Sequence, residues 1–235
     1  MSVRPRHRVV SLDGDETLWQ WNNALQAGLD AAAKRLAAMT GPQVPQTSTK
    51  RLTEIRQSVA GEWAGSGRTL VAVRRESLRR AAVESCLEGS AAEADDLLGV
   101  FSRARDSALV LFDDTLDALT ALRGRGYTVG LLTNGNADPS VCGVASYLDF
   151  VLQAENIGAS KPDVRAFEAV REATGCPLSD VVHVGDSLET DVLGALRAGA
   201  TAVWLNRNGS LEDNGVLAHR QVRTLTELPA LIDTL

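Results

Sequence analysis

The sequence predicts an α/β fold: a parallel sheet covered by helices and interrupted near its start by an all-helical insertion. Three observations predict it. From residue 127 onward, short runs that are apolar on both faces alternate with helical patterns, as buried parallel strands do. Residues 20–108 carry helical periodicity and no convincing strand. Before that block, residues 8–12 read as a short buried strand.

The elements follow in order. After the strand at 8–12, the spacing predicts a helix over Asn22–Met39, because Leu25, Leu29, Ala32, Leu36 and Met39 fall on one stripe. The stretch GPQVPQTSTK (41–50) is rich in breakers and reads as a loop. A helix is expected from Arg51 to about Ala64, ended by Gly65-Ser66-Gly67. Leu70–Leu87 and Ala92–Ala108 are two more, the second with Ala94, Leu97, Leu98, Phe101 and Ala104 on one side. Then come a helix at Thr115–Arg125, strands at 127–133 and 150–154, and a helix at Asp163–Thr174. A strand at 180–186, a helix at Thr190–Ala198 closed by Gly199 and a strand at 201–206 complete the pattern. The expected organisation is a discontinuous core of 1–19 and 109–235, a Rossmann-like parallel sheet, around a helical cap of 20–108. Ligands of such sheets bind at the carboxyl ends of the strands.

Composition narrows the function. Of 235 residues, 30 are acidic and 24 are Lys or Arg, a net charge of −6. That argues against nucleic acid and anionic membrane surfaces as partners, but leaves room for a small anion in a locally positive pocket. No apolar run approaches the ~20 residues needed to span a bilayer. The basic stretch Met1–Arg8 is followed by a short apolar run that ends at Asp13, which is no signal peptide. Cys86, Cys142 and Cys176 are scattered and form no CxxC pair, so they read as reduced thiols of a cytoplasmic protein.

The residues at the strand ends carry the chemistry. The first strand ends at Asp13 and Asp15, the second at Thr133-Asn134-Gly135. Lys161 follows the third, and Asp186 follows the fourth, with Asp191 five residues on. Parallel strands would open all four ends on one edge. Asp13 and Asp15, two apart in an extended segment, point the same way. Clustered carboxylates repel unless a cation offsets them, and Mg²⁺ is the natural one. With it, a carboxylate can attack phosphorus, while Lys161 and Thr133 neutralise and orient phosphoryl oxygens.

Four motifs then match in order: DGDET (13–17), LLTN (131–134), KPD (161–163) and GDSLETD (185–191). In these the chain resembles the haloacid dehalogenase-like hydrolase superfamily, in the branch with a helical cap inserted after the first motif. The resemblance implies a phosphatase acting on a small phosphorylated metabolite. Asp13 would be the nucleophile and Asp15 the acid and then the base. Mg²⁺ would be held by the Asp13 and Asp186 side chains and the Asp15 backbone carbonyl. Thr133 and the Asn134 backbone amide would hold phosphate oxygens, and Asp191 would support the site through a water or Lys161. The cap would exclude water and select the substrate, hinging near 18–22 and 105–112. Glu16 stands where many relatives have glycine. Members that displace halide lack the second aspartate and do not use Mg²⁺, so Asp15 favours a phosphate ester. A phosphomutase, a 2-haloacid dehalogenase and a non-catalytic phosphate-binding relative are the alternatives. A signalling receiver domain does not fit, since its acidic pair precedes the acceptor aspartate. The substrate and the oligomeric state stay open.

Outside the motifs, His183 reads as a core histidine with a satisfied ring. Trp19 and Trp21 read equally as pocket walls or as packing. Arg75 and Arg79 share a helix face; one of them could reach an anionic group of the substrate, but a solvated face with Glu76 and Glu84 nearby is the stronger reading. His7 and His219 carry no visible chemistry.

Overall fold

The computed structural model describes residues 8–41, 47–210 and 218–235. Residues 1–7 of the basic N-terminal stretch, with His7, and residues 42–46 of the predicted loop lie outside them. The chain forms two compact units, one running up to Gln20 and again from Leu111 on, the other Trp21–Val110.

In the first unit the sheet begins with β1 (Val9–Leu12). The second unit follows in sequence and is helical: α1 (Trp21–Thr40), α2 (Thr49–Glu62), α3 (Leu70–Glu84) and α4 (Ala91–Ser107). Hydroxyls start three of these helices. Ser48 accepts from Arg51 N at 3.1 Å and Thr69 from Ala72 N at 3.2 Å. Ser90 accepts from Glu93 N at 3.3 Å, while the Glu93 carboxylate accepts from Ser90 N at 2.8 Å. Each cap contributes about 1 kcal/mol by satisfying an orphan N–H. The apolar stripes meet in one core that includes Leu29, Leu36, Leu52, Ile55, Leu78, Leu97 and Phe101. At Gly28 a Cβ would lie 2.7 Å from the Phe101 ring, so α1 and α4 approach closely because a side chain is missing there.

This unit also buries two arginines. Arg74 is 8% and Arg105 2% exposed. Their guanidinium carbons lie 4.6 and 5.9 Å from the Phe101 ring and 5.7 and 5.8 Å from that of Trp21. The arginines singled out from sequence face outward instead. Arg75 pairs with Asp95 at 2.6 Å and Arg79 with Glu76 at 2.7 Å.

The first unit resumes with α5 (Thr115–Gly124), β2 (Thr128–Thr133), β3 (Phe150–Gln153), a short α6 (Ala154–Ile157) and α7 (Val164–Thr174). β4 (Val181–Gly185) leads into a π-helical turn, Leu188–Leu193, and α8 (Gly194–Ala198). β5 (Thr201–Leu205), β6 (Arg220–Val222) and α9 (Leu228–Ile232) close the fold. The strand order is β3-β2-β1-β4-β5-β6, with every neighbouring pair parallel. This is an α/β, Rossmann-like sheet. β1 and β4 are buried along their whole length, which is why their sequences read as near-continuous apolar runs. The chain leaves β1 toward β2 and β3, then returns to the other side of β1 for β4. Such a reversal opens a crevice beyond the carboxyl ends of β1 and β4.

Several elements differ from expectation, among them the short α6, which follows β3 where no helix was expected. The segment predicted as one helix over 190–198 starts earlier, as the π-helical turn, in which Val192 N reaches back five residues to Ser187 O at 3.2 Å. The edge strand β6 and the helix α9 had no counterpart in the sequence reading.

Candidate active site

The site is built where β1 and β4 end. Asp13 N donates to Val184 O at 2.9 Å, so the ladder fixes the backbone of Asp13 itself. The chain then turns tightly. Gly14 O accepts from Leu18 N at 2.8 Å and from Thr17 N and Trp19 N at 3.2 Å. Glu16 takes a left-handed conformation in this turn, φ 59°, which glycine adopts without a Cβ clash. Asp15 lies toward β2: a Cβ on Gly135 would sit 2.8 Å from Asp15 Oδ2. Asp15 Oδ1 accepts from Trp19 Nε1 at 2.7 Å.

Lys161 stands at the centre. Its Nζ donates to Asp13 Oδ1 and to Asp191 Oδ1, both at 2.6 Å, and its side chain is 1% exposed. Asn134, at the end of β2, holds the lysine's backbone. Its Oδ1 accepts from Lys161 N at 2.8 Å and its Nδ2 donates to Lys161 O at 2.9 Å. The sequence reading gave Asn134 only a backbone role, because this pairing spans two loops. Thr133, buried beside it, accepts from Gly135 N at 3.0 Å.

Asp191 is held on both oxygens. Oδ2 accepts from Ser187 N at 3.0 Å, and Oδ1 takes His183 Nε2 at 3.2 Å as well as Lys161. Because Asp191 is an acceptor, the His183 proton sits on Nε2, and Nδ1 accepts from Ser11 Oγ at 2.8 Å. Ser11 and His183 are register partners on β1 and β4. The His183 ring is indeed satisfied, but one of its partners is a carboxylate of the site. Phe167 packs edge-on against that ring, with centroids 5.2 Å apart.

The charges are unequal. Burial pushes the Asp13 carboxyl up to about 8; Lys161 pulls it down, and the neighbouring Asp191 and Asp15 add to the rise. Burial, with Asp191 nearby, pushes Asp186 up to about 7. Burial also opposes the charge on Asp191, yet Lys161 and His183 outweigh it and hold that carboxyl well below the usual range. For Lys161 burial is again outweighed, here by Asp13 and Asp191, so the ammonium is held above its ordinary value. Burial lowers His183, against the opposing pull of its bond to Asp191. Oxygens of Asp13, Asp186 and Asp191 lie within 4.8 Å of one another. Asp13 and Asp186 thus favour added positive charge, as a proton or a cation.

A glycine sets this closeness. A Cβ on Gly185 would fall 2.2 Å from Asp191 Cγ. Gly185→Ala must displace Asp191 and its hold on Lys161. Thermal unfolding is expected to show a loss of about 2 kcal/mol, within the range for overpacking a tight core.

The described residues thus bring Asp13, Asp15, Thr133, Asn134, Lys161, Asp186 and Asp191 to the carboxyl edge of one sheet. A family model of haloacid dehalogenase-like hydrolases matches residues 7–199. The chain belongs to that family. Among its relatives, the 5-amino-6-(5-phospho-D-ribitylamino)uracil phosphatase YigB of Escherichia coli (strain K12) is 29% identical over 236 residues, covering 97% of this chain and 98% of that protein. The N-acylneuraminate-9-phosphatase of Homo sapiens is 28% identical over 98% of this chain and 95% of its own. Among solved structures of the family fold, a 2-haloacid dehalogenase from Pseudomonas syringae pv. Tomato DC3000 matches with a TM-score of 0.82 at 32% identity, over 97% of this chain and 99% of that one. A HAD phosphatase from Thermococcus onnurineus matches with a TM-score of 0.71 at 26% identity, over 96% and 97%.

Proposed function

We propose that this chain is a Mg²⁺-dependent phosphomonoester hydrolase, acting on a small phosphorylated metabolite through an aspartyl-phosphate on Asp13. One observation carries the reading: Asp13, buried and hydrogen-bonded to Lys161, has a second aspartate two residues on. A halide leaves carbon as a stable anion and needs no acid. An alkoxide leaving phosphorus does. Asp15 therefore favours a phosphatase over a dehalogenase, even though one solved structure it resembles is that of a 2-haloacid dehalogenase.

An Asp13 oxygen attacks phosphorus, and the bond from phosphorus to the ester oxygen breaks. Asp15 gives that oxygen its proton, and the alcohol leaves. Asp15, now a carboxylate, takes a proton from water, whose oxygen attacks the same phosphorus and releases Asp13 and phosphate. Lys161, Thr133 and the Asn134 backbone amide hold the phosphoryl oxygens. The raised Asp13 and Asp186 carboxyls fit a divalent cation, with the Asp15 carbonyl as a further oxygen donor. Asp191, whose two oxygens already accept from Lys161, His183 and Ser187, acts by fixing Lys161. When bound, Mg²⁺ offsets the clustered negative charge and polarises the phosphoryl group.

None of the described helices is long and apolar enough to cross a membrane. All three cysteines are free thiols, which supports a reducing compartment, the cytoplasm.

Phosphate release from phenyl phosphate and a panel of phosphorylated sugars, acids and nucleotides tests the reading, beside chloride release from 2-chloropropionate. Turnover is expected only with phosphate esters. Removal of Mg²⁺ by a chelator is expected to abolish it, and adding Mg²⁺ back should raise Tm. Chloride release that does not depend on Mg²⁺ would contradict the reading.

A further inference from the structure

Trp19 shares no motif with the four strand ends, yet its indole is fully buried. A buried indole N–H needs an acceptor. Here the acceptor is Asp15 Oδ1, at 2.7 Å. We infer that Trp19 is a positioning residue that sets the orientation of the Asp15 carboxyl for proton exchange with the leaving group. The inference rests on the phosphatase reading above.

The placement of the indole is over-determined. A Cβ on Gly14 would lie 2.4 Å from Trp19 Cζ2, so the ring rests on the one residue between Asp13 and Asp15. Any side chain there would expel it. The Trp19 backbone is fixed from several directions. Its N–H donates to Gly14 O at 3.2 Å, its carbonyl accepts from Glu16 N at 2.9 Å, and it bridges to Leu111. The neighbouring Leu18 carbonyl accepts from Phe112 N at 3.1 Å and from Thr115 Oγ1 at 2.8 Å. Thr17 O accepts from Arg207 Nη2 at 2.8 Å, and Arg207 is itself paired with Asp114 through both terminal nitrogens. The turn that carries the indole is therefore tied to two further segments of the core.

The chemistry follows from which oxygen is engaged. An aspartate that gives and takes a proton has two oxygens and free rotation about its last bond. A rigid donor on Oδ1 removes that rotation. With that rotation removed, Oδ2 is held beside Gly135 at the end of β2, so the plane of the carboxyl is set before the proton moves. The indole is neutral and cannot compete for that proton. Fixing a reacting group in this way lowers the orientational cost of the transfer.

The test is the dependence of kcat/KM on the leaving group, which reports the first chemical step. Two variants are compared with wild type. One is Trp19→Phe. The other replaces Trp19 by 3-benzothienylalanine, which keeps the shape of the ring and puts sulfur where the N–H was. A leaving group as acidic as dinitrophenol needs no proton, whereas glycerol from glycerol phosphate does. Both variants are expected to lose about 10- to 100-fold in kcat/KM with glycerol phosphate, a fraction of the roughly 10²- to 10⁴-fold that general acid catalysis typically contributes. With dinitrophenyl phosphate they should stay close to wild type. In an Asp15→Asn background the same replacements should have no further effect. An equal loss with both esters, or a loss that persists with Asp15→Asn, would overturn the role and leave Trp19 as packing alone. A wild type that releases phosphate from neither ester would overturn the phosphatase reading, and this role with it. The indole N–H proton and nitrogen shifts of the Trp19 side chain give a readout apart from activity. They should move in Asp15→Asn, and an unchanged signal would contradict the hydrogen bond.

Discussion

Asp13→Asn is expected to give a folded protein whose phosphate release falls to background. The amide cannot form the acyl phosphate, and losing a covalent nucleophile costs on the order of 10⁶ in kcat where it has been measured in other enzymes. The fold should survive, because an Asn carbonyl in place of Asp13 Oδ1 still accepts from Lys161 Nζ. Stability should in fact rise in the metal-free protein at neutral pH. The Asp13 pKa, raised from 3.8 to about 8, means that the native state binds this proton more tightly than the unfolded chain does. Its contribution is therefore most favourable below pH 3.8 and is lost as pH climbs through about 8. A neutral amide removes that penalty. Tm in chelator at pH 7, alongside steady-state turnover, checks both halves.

Lys161→Met is the second large effect, and its sign is opposite for stability. The ammonium is the shared donor of Asp13 and Asp191, and both carboxylates are buried. Removing one partner of a buried ionic group typically costs about 3–5 kcal/mol, because the charges left behind have neither water nor a counter-ion. Turnover should fall as well, since the transferring phosphoryl group loses its cationic contact. Asp191, which Lys161 holds ionised, would then relieve its buried charge by taking a proton, as Asp13 already tends to do. The Tm difference from wild type should therefore be large at pH 8 and shrink toward pH 5. A difference that does not change over that range would argue that Lys161 contributes by packing alone.

The four strand ends were legible because each is a place where an apolar run meets a polar residue, and a parallel sheet turns that into a location. The spacing in GDSLETD marked Asp186 and Asp191 as a pair. It did not show that Asp191 folds back under Gly185, which depends on a π-helical turn and on the missing Cβ. His183 was readable as a satisfied core histidine. Its partner Ser11, 172 residues away, becomes its neighbour only through the register of β1 and β4. The cap arginines show the limit of helix phase. Arg74 is buried and Arg75 is not, and one residue is a turn of about 100° that a sequence stripe resolves poorly. β6 is three residues long with two of them exposed, so it offers no alternation to detect.

The central claim is that the phosphoryl group passes through Asp13. The most direct measurement is an acid quench during turnover of phenyl phosphate carrying radioactive phosphorus, followed by borohydride reduction and peptide mapping. The account predicts label on the protein in the quenched sample, and reduction of Asp13 alone to the corresponding alcohol. Phosphate release with no label on the protein and an unmodified Asp13 would contradict it.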